Sequence, residues 1–344
     1  MPAAIVTGGS GFFGGILKRA LLAKGWTVVS VDLVRDDDRH EHLTAIQGDI
    51  RDRALLDRLF TEHQFDAVFH CAAILAHAVK DKKFLWSCNV DGTRALAEAM
   101  RRYDVWKIVF ISSNCLWGEG MKRPVREDDQ PNPVEIYGKS KWEAEKILET
   151  AEGIDPVIIR CPTIIDEGRL GLLAILFEFI DEGRKVWVVG GGKNRYQFIY
   201  AKDLVDACVR AAEKPVRGIF NIGSDDVKSF REVYQEVITR AGTGARVASL
   251  PRAPTLAAMK IAYALGLSPL GPYQYKMIAE DFTFDTSKMK RELGWTPTLT
   301  NEEMLWKAYN YYHEHRKELA QTESLSAHRQ PAKMGIIKLL KWMS

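Results

Sequence analysis

The chain has 344 residues, 46% of them apolar. That is enough for one large or two moderate folded units with a sizeable core, and it excludes a chain disordered over most of its length. The net charge of +3 is concentrated at the end: residues 329–344 carry Arg329, Lys333, Lys338 and Lys341 and no acid, so the rest of the chain is close to neutral. A nucleic-acid-binding domain, which spreads Lys and Arg over a folded face, is therefore not expected.

Cysteine usage and targeting signals narrow the class further. Cys71, Cys88, Cys115, Cys161 and Cys208 are odd in number and show no CxxC spacing, so reduced thiols in the cytoplasm are expected rather than a disulfide framework or a zinc site. A glycine-rich motif begins by Gly8 and leaves no room for a secretory signal. No uninterrupted apolar run approaches the roughly 20 residues that span a bilayer. The expected location is cytoplasmic, at most peripheral at the inner face of a membrane.

In chain order, short β-rich runs predict strands over residues 3–7, 27–32, 67–70, 107–112 and 156–160. Helical apolar spacing predicts helices over 12–24, 54–63 and 89–103. This alternation implies an α/β fold, a doubly wound parallel (Rossmann) sheet with helices on both faces and ligands at the carboxyl ends of the strands. Past residue 165 the pattern loosens, with helices over 170–182 and 201–213 and strands over 186–189 and 218–222. Ser229 with Glu232, and Thr300 with Glu303, have capping-box spacing and predict two further helix starts. The expected organisation is a dinucleotide-binding domain over 1–165, a smaller C-terminal α/β substrate domain over 166–320 interleaved with the same sheet, and a linker and tail over 321–344. The tail puts Ile336, Ile337, Leu340 and Met343 on one helical stripe and Lys338 and Lys341 on another. A basic amphipathic helix of this kind can lie in a lipid headgroup layer, which makes residues 334–344 a candidate peripheral membrane contact. Docking on the protein's own surface or on a partner subunit is the alternative.

The first strand runs into Gly8, Gly9, Ser10, Gly11, Phe12, Phe13 and Gly14, the spacing GxxGxxG ahead of a helix. Glycines let the backbone approach a pyrophosphate, and the helix N-terminus offers free N–H groups and positive potential to the phosphates. Asp32 ends the second strand, where a carboxylate can accept from both adenosine ribose hydroxyls and repel a 2′-phosphate. NAD is the expected cofactor; the nearby Arg35 is the one feature that would suit NADP.

Over residues 3 to about 312 the chain resembles the NAD-dependent epimerase/dehydratase family of extended short-chain dehydrogenases. The motifs are TGGSGFFG, Gly48–Ile50, His70–Ala73, Asn89–Thr93, Tyr137–Lys141 and Asp285–Pro297. The resemblance implies that Asp49 and Ile50 hold the adenine and that Ala72 and Ala73 line the dinucleotide. It also implies a homodimer through helices that include residues 89–103 and 134–152.

Tyr137 and Lys141 are four residues apart, so on a helix they share a face. A phenol with a pKa of about 10 is a poor base at neutral pH unless cations favour its ionised form, here the Lys141 ammonium and the nicotinamide ring. Ser113, after the strand over 107–112, matches the third member of the family's triad and would bond the reacting hydroxyl. The implied chemistry is proton removal from a secondary alcohol by Tyr137, with no metal required. His40/His42 and His313/His315 are spaced i, i+2, which does not put two ligands on one helical face.

Dehydratases of the family carry an Asp-Glu pair after the catalytic hydroxyl; here stand Asn114 and Cys115, which disfavours a 4,6-dehydratase and leaves an epimerase or a simple dehydrogenase. On the substrate side, related epimerases resemble RYFN where this chain has RCPT, placing Thr163 at the asparagine. Their arginine for the substrate diphosphate falls near Tyr196, with Arg195 adjacent. Asn114, Thr163 and Arg195 are thus the expected substrate contacts. The expected activity is 4-epimerisation of a nucleotide-diphosphate or lipid-diphosphate sugar. The lipid option rests on GGGKN at 190–194, similar to 3β-hydroxysteroid dehydrogenases, and on the apolar segment 256–270, similar to epimerases of undecaprenyl-diphosphate sugars. A 3β-hydroxysteroid-type dehydrogenase and a non-catalytic dinucleotide-binding protein are the alternatives.

Overall fold

Successive residues of an extended strand point to opposite faces, and in this chain both faces are apolar. From β1 (Ala3–Thr7), Ala4 and Val6 join a buried cluster with Val28, Phe69, Val109, Val157 and Ile159. Ile5 joins a second with Val29, Val31, Val68, Ile108, Phe110 and Ile158. Burial on both sides is what a parallel sheet covered by helices requires. The computed structural model, which describes residues 1–76, 79, 81–118, 121–171, 173–265 and 277–319, has this sheet at its centre.

Numbered along the chain, the strands after β1 are β2 (Thr27–Asp32), β3 (Leu43–Gln47), β4 (Ala67–His70), β5 (Lys107–Ser113), β6 (Asp155–Cys161), β7 (Thr163–Ile165), β8 (Lys185–Val189), β9 (Phe198–Tyr200), β10 (Gly218–Asn221) and β11 (Arg246–Leu250). Seven form the main sheet in the order β10-β6-β5-β4-β1-β2-β3, and every pairing is parallel. This is the doubly wound Rossmann-like arrangement. Helix α1 (Phe12–Ala23) and the helices Ala201–Glu213 and Ser287–Leu293 cover the first face. Helices α2 (Arg53–Glu62), α4 (Gly92–Arg102) and α5 (Ile136–Thr150) cover the second.

A third core fills the space around the pairs β7–β9 and β8–β11. It joins Phe177, Phe198, Phe230, Phe284, Leu305 and Tyr309 to Trp117 and Val125 from the first half of the chain. The chain also returns from this region to place β10 beside β6 in the main sheet. Ser229 caps its helix as its spacing predicts: its hydroxyl accepts from Glu232 N, Glu232 accepts from Ser229 N at 2.9 Å, and the helix ends at Gly242 in the left-handed region.

The helix expected over 89–103 is not continuous. Helix α3 (Lys82–Trp86), capped by Asp81, passes through a π turn at Ser87–Asp91 into α4. The wide turn carries Asn89, and Gly92 follows it because a Cβ there would lie 2.8 Å from Ile50 Cδ1. Among the described residues no helix is long and apolar enough to cross a membrane. The tail over 321–344 and the SPLGP end of the segment 256–270 lie outside the described residues.

Candidate active site

The carboxyl ends of β1, β2, β4, β5 and β6 converge on one edge of the sheet. At β1, Gly8 turns the chain with φ +76°, and a Cβ there would lie 2.7 Å from Ala72 N. A Cβ on Gly14 would lie 2.1 Å from Gly8 O, whereas one on Gly11 would meet nothing but Gly8 O at 3.0 Å. Gly11 is therefore open on its outer side, and α1 starts at Phe12 and Phe13 without a side-chain cap, leaving its first N–H groups to another acceptor. Asp32 closes the cradle: its carboxylate accepts from Ser10 N and Val34 N, each at 3.0 Å. Arg35 points into solvent and pairs with Asp37 at 3.3 Å. Both oxygens of Asp49 accept from Arg51, whose guanidinium holds that carboxyl below its ordinary range. Ile50 is buried behind it.

The floor is a relay of buried hydrogen bonds. Ala72 N donates to Thr7 Oγ1 at 3.3 Å, Thr7 bonds His70 Nδ1 at 2.7 Å, His70 Nε2 bonds Thr93 Oγ1 at 2.9 Å, and Thr93 donates to Asn89 O at 2.7 Å. Because the Thr93 proton goes to Asn89, His70 must donate from Nε2 and accept at Nδ1. Burial, pushing its pKa down to about 3, keeps it neutral as that tautomer requires. Asn89 continues the network to Ile74 beside Ala73, and to Ser140 on α5. The motifs at 70–73 and 89–93 are thus linked by one set of bonds.

Tyr137 and Lys141 lie one turn apart on α5, and Ser113 ends β5 near Tyr137. Gly138 makes the approach possible, since a Cβ there would lie 2.2 Å from Cys115 O, so α5 packs directly on the backbone that follows β5. Ser113 stands near the Tyr137 phenol and favours its ionised form, while its own hydroxyl accepts from Cys115 N at 3.1 Å. Burial raises the Tyr137 pKa, the neighbouring Cys115 and Cys161 add to the rise, and Ser113 and Arg169 oppose it. Lys141 is buried with its ammonium 3.8 Å from the centre of the Phe110 ring. Desolvation lowers its pKa to about 8, against the pull of Cys161, Glu145 and Cys71. Glu145 is itself fully buried and accepts from Arg160 Nη2 at 2.7 Å and from Ser112 Oγ at 2.5 Å.

The expected substrate residues divide. Asn114 is buried and donates to the Tyr196 hydroxyl at 2.5 Å, and Thr163 is half-buried on β7. Arg195 does not join them. It is exposed, its N–H bonds Asp281, and its charge acts on Glu232. Adjacent residues of extended backbone face opposite ways, and since Tyr196 points inward Arg195 points out.

A model of the NAD dependent epimerase/dehydratase family matches residues 4–223. The chain belongs to this family. Within it, the UDP-glucose 4-epimerase of Neisseria meningitidis serogroup C is 31% identical over 282 residues, covering 70% of this chain and 83% of the relative. The uncharacterized protein y4nG of Sinorhizobium fredii is 37% identical over 342 residues, covering 98% and 85%. Among solved structures, the Bordetella bronchiseptica enzyme WbmH in complex with NAD+ superposes with a TM-score of 0.74 at 25% identity, covering 92% of this chain and 99% of that one.

Membership in the epimerase/dehydratase family makes the chain an NAD-dependent enzyme, and the cradle fits that group. Gly11 is open, the α1 N-terminus is uncapped, and a carboxylate stands at the end of β2. Replacing Gly14 with alanine is expected to force the β1–α1 turn apart, at a cost of about 1–3 kcal/mol in stability. NAD affinity should fall about tenfold or more, read by thermal unfolding and a cofactor titration. Arg169 has no place in the family motifs quoted above and comes to the site only through tertiary structure. Asn89 and Thr93 lay in a motif, but their bonds to His70 and Ser140 were not readable from it.

Proposed function

We propose that this enzyme is a sugar 4-epimerase acting on a nucleotide-diphosphate sugar, with Tyr137 as acid and base, Ser113 as the hydroxyl partner and Lys141 as the cation. The observation that carries this reading is the placement of Ser113 near the half-buried Tyr137, beside the glycine cradle, followed by Asn114 and Cys115 rather than an Asp-Glu pair. Relatives named UDP-glucose 4-epimerase support the class of sugar carrier. In this reading Gly8, Gly11, Phe12, Phe13 and Gly14 hold the pyrophosphate and Asp32 the adenosine ribose. Asp49 and Ile50 flank the adenine, Ala72 and Ala73 line the dinucleotide, and Asn114 and Thr163 face the sugar.

NAD, when bound, supplies reversible two-electron redox chemistry. Tyr137 takes the proton of the substrate hydroxyl and later returns it; Ser113 keeps that oxygen within reach. Burial alone holds Tyr137 as the neutral phenol, so its ionisation depends on positive charge nearby. Arg169 acts on it in this way, and in this reading Lys141, kept largely protonated at neutral pH with help from Glu145, is the second cation. Because the oxidised sugar can turn over and be reduced on its other face, no further acid or base is needed.

The test is incubation with UDP-glucose, UDP-N-acetylglucosamine and their 4-epimers without added cofactor. Conversion with no net NADH supports the epimerase; stoichiometric NADH with a released ketone would replace it with a simple dehydrogenase. A lipid-diphosphate sugar is the second reading, favoured by the helix Arg252–Ala264. It buries only Ala262 and exposes Ile261 and Tyr263 at 61% and 47%. Activity on polyprenyl-diphosphate sugars but not on UDP-sugars would select it. Assembly as a homodimer through α4 and α5 belongs to the same proposal, and a monomeric mass in solution would contradict it.

A further inference from the structure

The family resemblance assigns an arginine for the substrate diphosphate near position 196, yet that position holds Tyr196, its hydroxyl engaged by Asn114, and Arg195 faces away. A diphosphate in a partly buried site needs a cation that can donate several hydrogen bonds. Arg169, in the loop after β7, is placed to supply one. Its guanidinium lies 5.5 Å from the centre of the Phe12 ring, at the start of α1 in the cofactor cradle. The ionisable groups that act on it are Cys161, Tyr137 and Tyr196, with no carboxylate among them. Although half-buried, it keeps its charge at neutral pH, its pKa lowered by burial only to about 10. The loop is braced on both sides of it: Arg169 N donates to Asp166 O at 3.1 Å, Lys307 holds Glu167 at 2.6 Å, and Leu170 is buried. A structural guanidinium at this depth would be expected to pair with a carboxylate or a backbone carbonyl, and among the described residues its side chain meets the Phe12 ring and donates to neither.

We infer that Arg169 is a phosphate-binding residue, holding a diphosphate that lies between the glycine-rich loop and Tyr137. The inference rests on the nucleotide-sugar reading for one of its two sources, the substrate diphosphate; the other is the cofactor pyrophosphate.

The test compares the wild-type enzyme with R169Q and R169K for binding of NAD, of UDP to the NAD-loaded protein, and of uridine as a phosphate-free control. R169Q is expected to weaken one phosphate ligand by about 10- to 100-fold with uridine unaffected, and R169K to recover part of the loss. Weakened UDP with unchanged NAD assigns the substrate diphosphate; weakened NAD assigns the cofactor pyrophosphate. Both ligands bound within about twofold of wild type, or an equal loss for uridine, would overturn the inference. Failure of the wild-type enzyme to bind UDP or uridine would instead count against the nucleotide-sugar reading, and the NAD arm would still decide the role of Arg169.

Discussion

Replacing Tyr137 with phenylalanine is expected to lower kcat by about a hundred- to ten-thousandfold, the usual contribution of a positioned acid and base, while NAD still binds. The ring packs as before, so the thermal transition should hardly move, and only the proton-transferring oxygen is lost. Steady-state turnover together with a cofactor titration checks both halves. Unchanged turnover in Tyr137→Phe would remove Tyr137 from the chemistry, and absence of turnover in both proteins would favour a dinucleotide-binding role.

The second large effect is expected at Glu145, which never reaches the substrate side. Its carboxylate is fully buried and bidentate with Arg160, bonded by Nε at 3.1 and 3.2 Å and by Nη2 at 2.7 Å. Arg160 also donates to Glu127 O at 2.9 Å, and its guanidinium lies 5.1 Å from the Trp117 ring centre. Glu145→Gln leaves a buried guanidinium without its counter-charge, and removing one partner of such a pair costs about 3–5 kcal/mol. Chemical denaturation measures it, and a double substitution that also neutralises Arg160 should recover part of the loss. A pH effect accompanies the structural one. Glu145 raises the Lys141 pKa, which burial lowers to about 8, so Glu145→Gln should lower it further. Lys141 then loses its proton at lower pH, and the alkaline limb of kcat/KM should move toward neutrality. A limb that stays in place would mean that Glu145 holds only the fold.

Much of the fold was legible because the main strands are buried on both faces and read as largely apolar runs; β1, β2 and β4 lie where the sequence predicts them. Strand β3, LTAIQ, escaped because it is a half-exposed edge strand beyond β2, with no apolar run to announce it. The three-residue strands β7 and β9 are too short to display any period. The π turn before α4 was hidden for a different reason: Leu85, Asn89, Leu96 and Met100 keep helical spacing across it, so the irregularity exists only in the backbone.

At the site, residues joined by local spacing were readable and residues joined by folding were not. Tyr137 and Lys141 lie one helical turn apart, and the glycines lie within seven residues. Whether Arg195 or Tyr196 faces inward depends on the register of backbone bridged to Ser229 and Phe282, which a one-residue shift reverses. Arg169 meets Phe12 and acts on Tyr137 across a long stretch of sequence, from the loop that follows β7, itself paired with β9.

The central proposal is that one carbon of a sugar is oxidised and re-reduced at a single site around Tyr137. UDP-glucose carrying deuterium at C4 tests it most directly, with the epimerised product followed by nuclear magnetic resonance. Full retention of deuterium at C4 in UDP-galactose, with no net NADH, is the predicted result. Loss of the label to solvent, or product appearing only with added cofactor consumed in equal amount, would contradict the account.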